Sequence, residues 1–251
     1  MSSITPDKFL DFPKFYDPAN PNHVAGFSEL AKAIQSVKPE LLSDDASWVK
    51  TFRTHVVKPS EKPKDDVVKE YKTLLKVSNF SQPDASTCQS ACIAMAVNDP
   101  DIQGIRRKLL ATGRSAGSPT EMSRVITTYT KKYKFEGNAS LNKVYEWLEA
   151  GEFLITHGWF TGSGHVICLD GLQLNTGTMG YRLNVKDPWS EFNALTWKYD
   201  KSGKFYDGFY SNHCIYAACV AGTSVSSAKS IYNKGLLDSS KGGMWVHRFL
   251  V

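Results

Sequence analysis

NFSQPDASTCQSACIAMAV, residues 79 to 97, decides the reading of this chain when it is set beside GSGHVICLDG at 162 to 171 and LNVKDPW at 183 to 189. Gln82 stands six residues before Cys88, Cys88 opens an apolar helical pattern, His165 opens an apolar strand and Asp187 ends another. Because the thiolate rather than the thiol attacks carbonyl carbon, Cys88 needs a positive neighbour and a helix N-terminus to lower its pKa. His165 can supply the first and the run from Cys88 to Val97 the second, with Ala91, Ile93, Ala94 and Val97 predicted on the buried side of that helix. Gln82 could donate its side-chain amide to a developing oxyanion beside the Cys88 backbone N–H, and losing such a donor typically costs roughly a hundred- to a thousandfold in rate. Asp187 would hold the imidazole tautomer, and Pro188 presses it towards extended backbone at a strand end.

Each of these residues also has a plainer use. A cysteine in a helix is often a small buried hydrophobe, and Cys92, Cys168, Cys214 and Cys219, which lack the surroundings of Cys88, read as core residues. His157, His213 and His247 read as structural or surface residues, with His157 the nearest to the site because it ends the strand before the His165 loop. An Asp-Pro pair is commonly a turn, and a lone Gln is commonly a solvated amide. Structural zinc wants paired ligands of C-x-x-C type, whereas Cys88 and Cys92 are four apart and His213 and Cys214 adjacent. The glycines at 113 and 117 lack the Lys of a phosphate-cradling loop, so no metal or cofactor is expected.

The order Gln, five residues, Cys, then Gly-His with apolar residues, then Asp-Pro resembles papain-clan cysteine peptidases, in the branch similar to the peptidases that cut double-glycine leaders of bacteriocins. The resemblance covers about residues 77 to 220. It implies Cys88 as nucleophile, His165 as base, Asp187 as orienter and Gln82 as oxyanion donor. It also implies an α+β, papain-like fold in which a nucleophile helix packs on an antiparallel sheet bearing the His and Asp. LNKVYEWLEAGEFLITHGWF fits the helix and strand that members carry before the His. The chain departs at Gln89 and Ser90, where many members have Gly-Pro.

Length and composition bound the rest. At 251 residues with 41% hydrophobic and 22% charged side chains, the chain suits a globular protein of one full domain and a small appendage. No apolar run is long enough to span a bilayer, and MSSITPDKFLDF has neither the basic start nor the apolar core of a signal peptide, so synthesis and residence in a cytosol are expected. Five cysteines without regular spacing agree with reduced thiols. The net charge of +5 comes from scattered Lys and Arg, with both signs alternating around VVKPSEKPKDDVVKEYK, so nucleic acid is not an expected partner, while weak attraction to an anionic wall polymer is compatible.

Three segments are expected. FYDPANPNHVAGFSELAKAIQ and PELLSDDASWVKTFR give a small helical module over residues 1 to 57, residues 58 to 76 form a charged, Pro-bearing linker and a lead-in helix from Asp65 to Leu75, and residues 77 to 251 form the peptidase-like domain. Helices are predicted on PDIQGIRRKLLA, SPTEMSRVITTYTKKY and SLNKVYEWLEA, then strands on FLITHGW, GHVICLDGL, YRLNVKDPW and CIYAACV, an α+β plan. The tail is expected to close the site from outside, with Trp245 and Phe249 docking it. The function expected is a monomeric cysteine peptidase acting on a peptide or peptidoglycan stem peptide through a thioester, as in a phage or bacterial endolysin that reaches the cell wall at lysis. A CHAP-type wall amidase and a non-catalytic binding or virion protein on the same scaffold are the alternatives.

Overall fold

The computed structural model describes residues 68–175, 180–194, 196–199, 204–234 and 236–251. The helical module read over residues 1 to 57 lies outside the described residues. In chain order the elements are β1 (Val68–Lys72), α1 (Cys88–Val97), α2 (Ile102–Leu110), α3 (Pro119–Ile126), β2 (Tyr133–Ala139), α4 (Leu141–Glu149), β3 (Phe153–Gly158), β4 (His165–Asn175) and β5 (Gly180–Asp187). There follow the short pair β6 (Phe192–Asn193) and β7 (Lys198–Tyr199), then β8 (Tyr206–Ser211), α5 (Asn212–Ile215) running on as a π-helix (Tyr216–Ala221), α6 (Val225–Asn233) and β9 (Met244–Phe249).

The described strands form a mixed helix and antiparallel-sheet architecture. Six strands run in the order β2-β9-β3-β4-β5-β8, and β1 adds to β4 as a seventh. β4 is long enough to carry two partners in succession, β3 along His165 to Leu169 and β1 along Gly171 to Asn175. Side chains alternate across the sheet, as the period of two requires. Phe153, Ile155, Val166, Cys168 and Phe249 face one way and pack with Ile93, Ile105, Leu109 and Met122 of α1 to α3. Leu154, Ile167, Leu169, Leu183, Val185 and Val246 face the other way, against α4, the π-helix and α6. The sheet therefore has helices on both faces.

Local signals set the helix ends. α1 stops where Asn98 takes the left-handed conformation (φ 55), its amide bonding back to the Ala94 carbonyl, an arrangement Asn tolerates better than most residues. Asp101, Ser140 and Ser224 cap α2, α4 and α6 by accepting from the amides of Gly104, Lys143 and Ser227. α1 itself is buried on nearly every side, from Gln89 to Met95, rather than along the stripe read from Ala91, Ile93, Ala94 and Val97.

Several sequence expectations are corrected. Within the described residues, the lead-in helix expected from Asp65 to Leu75 is replaced by strand β1: Val68–Lys72 pairs with the second half of β4, and exposed and half-buried positions alternate from Glu70 to Leu75. CIYAACV is helical, not a strand: Ser211 caps the Cys214 amide, and an apolar run buried all round carries no period that separates helix from strand. α3 ends at Ile126, residues 127 to 132 turn, and β2 begins at Tyr133. The tail does not close the site from outside. As β9 it lies inside the sheet, between β2 and β3.

His247 on β9 has no exposed surface. Its Nδ1 meets the Tyr133 hydroxyl at 2.6 Å, and its Nε2 is buried without a hydrogen-bond partner among the described residues. Burial pulls its pKa down to about 3. A protonated His247 has nowhere to put its second N–H, so the proton binds the unfolded chain first. Stability should be complete above the ordinary histidine value and fall, by up to about 1.4 kcal/mol per pH unit, as pH drops from there towards 3. Urea titrations of wild type and His247→Phe across that window should show a shallower acid loss in the variant; parallel curves would remove His247 from the acid response.

Candidate active site

The first turn of α1, the start of β4 and the end of β5 meet at one end of the sheet. Thr87 precedes α1 without a side-chain cap, so the amides of the first turn are not consumed by a capping oxygen. The half-buried Cys88 thiol sits there beside His165 and near the backbone amides of Gln89 and Val166, all of which favour its charged form. Its Sγ also lies 3.3 Å from Gln89 Oε1. Cys92, one turn on, donates its thiol to the Val166 carbonyl at 3.3 Å and ties the helix to β4.

His165 is brought in by a tight loop. Gly164 (φ +77) bonds through its amide to the Thr161 carbonyl, while the Thr161 hydroxyl donates to the Gly164 carbonyl at 2.6 Å. A Cβ at Gly164 would fall 1.9 Å from His157 Nε2, so both the conformation and the space demand glycine. The loop is braced from behind, where the Trp159 amide donates to the Ala218 carbonyl of the π-helix and the Trp159 carbonyl accepts from Trp197 Nε1.

His165 Nε2 and Asp187 Oδ1 are 2.8 Å apart, which leaves the other ring nitrogen for Cys88. Asp187 has 0% exposure and accepts three further bonds. The Trp189 amide donates to Oδ1 at 2.9 Å, and the hydroxyls of Tyr199 and Tyr210 donate to Oδ2 at 2.9 and 3.1 Å. The Trp189 bond closes the Asp-Pro turn, so the extended presentation expected from Pro188 is completed by the residue after it. Tyr199 also packs edge-on against the imidazole, with ring centroids 5.3 Å apart.

The electrostatics follow from these contacts. For His165 burial alone would lower the pKa, but the Asp187 charge and hydrogen bond, with the Cys88 thiol, outweigh it and raise the value to about 10. For Cys88 burial pushes the thiol up, and the hydrogen bond and charge of His165 with two backbone amides pull it below the ordinary thiol value. Both shifts run in the direction of thiolate and imidazolium. Cys92, Cys168 and Cys219 are all pushed up, chiefly by burial. His157, close to His165, is pulled down to about 4 by burial and then by the imidazolium charge.

Gln82 is brought to the same region. Its backbone amide donates to the Pro188 carbonyl at 2.8 Å, joining the loop before α1 to the turn after Asp187. Its side-chain Nε2 donates to the Asp84 carbonyl at 2.7 Å and keeps one further N–H, while its Oε1 is buried without a partner among the described residues. Tyr199, Tyr210 and Gln89 were not singled out as site residues from sequence. Only Gln89, adjacent to the nucleophile candidate, carried a local signal. Among the described residues no group of three or more His, Cys, Asp or Glu converges as a metal site would need, and no helix is long and apolar enough to cross a membrane.

No family model and no curated protein matches the chain. Among solved structures, the crystal structure of a double glycine motif protease from an AMS/PCAT transporter, in complex with the leader peptide, is a neighbour with a TM-score of 0.38 and 14% identity over 72% of this chain and 98% of that one.

Thiol reactivity tests the electrostatics directly. At about pH 6, iodoacetamide should label Cys88 ahead of Cys92, Cys168 and Cys219, and His165→Ala should move the Cys88 profile up towards that of an ordinary thiol. Labelling followed by peptide mapping reads the order; preferential modification of Cys168 would contradict it.

Proposed function

We propose that this chain is a cysteine peptidase that hydrolyses peptide amide bonds through a thioester acyl-enzyme. The observation that supports it best is the Cys88 thiol at the head of α1, beside an imidazole whose Nε2 is held 2.8 Å from the buried Asp187 carboxylate. In this reading the proton of Cys88 moves to His165 and the thiolate attacks the scissile carbonyl carbon. The carbonyl oxygen takes the negative charge opposite the Cys88 amide and the remaining N–H of the Gln82 side chain. His165 gives its proton to the leaving amine as the C–N bond breaks, leaving a thioester on Cys88. Water then attacks the thioester, His165 takes its proton, and the acid product leaves with the thiol restored.

The substrate class we favour is bacterial cell-wall peptide, cut in the manner of an endolysin. What supports it is the net charge of +5, which favours approach to an anionic wall polymer. Zymography on purified peptidoglycan with mass analysis of the fragments tests this. New amino and carboxyl termini within stem peptides would support it, whereas cleavage of free peptides with an untouched wall would confine the activity to peptides.

Cys88→Ala should abolish turnover while leaving the melting curve in place. Asp187→Asn should lower kcat and move the alkaline limb of kcat/KM to lower pH, because the Asp187 charge is what raises the pKa of His165. An alkaline limb unmoved by Asp187→Asn would remove Asp187 from the catalytic group.

A further inference from the structure

Resting on the thiol chemistry proposed above, we propose that Gln89 is a further catalytic residue, its side-chain amide holding the Cys88 sulfur in both of its protonation states. Gln89 is 7% exposed, and its Oε1 lies 3.3 Å from Cys88 Sγ. A buried amide costs stability unless its polar atoms are used, and among the described residues the hydrogen bond of the Gln89 side chain that is defined goes to the sulfur.

The direction of that bond depends on where the proton is. With Cys88 as a thiol, S–H donates to Oε1. Once the proton has moved to His165, the sulfur can only accept, and Oε1 would oppose its charge. A half-turn of the terminal amide replaces Oε1 by Nε2 at nearly the same position, and an N–H then donates to the thiolate. The carboxamide thus serves thiol and thiolate in turn, with the proton passing between Cys88 and His165 and no co-reactant needed. It adds a side-chain N–H donor to the backbone amides of Gln89 and Val166, which already act to lower the thiol's pKa.

The other buried amide of the site is placed differently. Gln82 Nε2 is bonded to the Asp84 carbonyl at 2.7 Å, and no bond joins its side chain to the sulfur. In this proposal the two glutamines divide the work, Gln82 serving the oxyanion and Gln89 the nucleophile.

The experiment compares wild type, Gln89→Met and Gln89→Glu as full chains, by iodoacetamide labelling of Cys88 across pH, by kcat/KM and by melting temperature. Losing the N–H donor in Gln89→Met should slow labelling about tenfold below the wild-type midpoint and move the acid limb of kcat/KM up with it. Gln89→Glu sets a carboxylate beside the sulfur and should move both further in the same direction. A folded variant of either kind with an unmoved labelling midpoint would overturn the role of Gln89. Gln89→Glu keeps the side chain's size and decides the matter should Gln89→Met fail to fold. If wild-type Cys88 itself labels at about pH 6 no faster than an ordinary thiol, the thiol chemistry fails, which is a separate outcome from unmoved variants.

Discussion

Asp187 has no exposed surface, and a carboxylate withdrawn that far from water has to be met by hydrogen-bond donors or lose more than it contributes. Here the donors come from four places in the chain: His165 at the start of β4, the Trp189 amide just past β5, Tyr199 on β7 and Tyr210 on β8. Each must arrive within about 3 Å, so the register of β4 on β5 and of β5 on β8 is coupled to the satisfaction of one charge. A slip of one residue on either side would turn the donor away and leave the charge uncompensated. The same four bonds fix the imidazole that faces Cys88, so the packing of the sheet and the electrostatics of the cleft are one problem solved once.

The helical layer behind the sheet contributes to that solution. A π-helical turn widens the backbone and leaves carbonyls that ordinary α-helical bonding would have used. The Ala218 carbonyl, in that stretch, accepts the Trp159 amide, and the Trp159 carbonyl accepts from Trp197. Residues 159 to 164 are held by these contacts and by Thr161, and they deliver His165 at the beginning of β4. An irregular helix on one face of the sheet therefore supports the loop that positions His165.

How much of this was legible in the sequence follows from how local each feature is. Cys88, His165 and Asp187 could be picked out because each sits at the end of an element whose pattern is visible in its own neighbours, and the structure brings all three together. Tyr199 and Tyr210 lie 12 and 23 residues from Asp187, at distances created by the β6–β7 pair and the return of β8, for which no motif exists. β1 read as a helix because its charged residues tolerate either form, and only β4 supplies the ladder that settles it. CIYAACV read as a strand because burial on every side erases periodicity. β9 read as an outer flap because nothing in MWVHRF names its two neighbours, which lie more than eighty residues earlier along the chain.

That last placement has a consequence for how the molecule comes into being. Among the described strands β9 is the latest to be made, yet it is an interior member of the sheet, hydrogen-bonded to β2 on one side and to β3 on the other. While a ribosome is still adding the residues before Met244, β2 and β3 are two open edges with no strand between them, and closing that gap needs contacts spanning much of the domain. β3 is also the strand that pairs with the first half of β4, from His165 to Leu169. A nascent chain thus holds its thiol and its imidazole on an unfinished scaffold, and the cell that makes the protein meets the assembled cleft only after translation has passed residue 249.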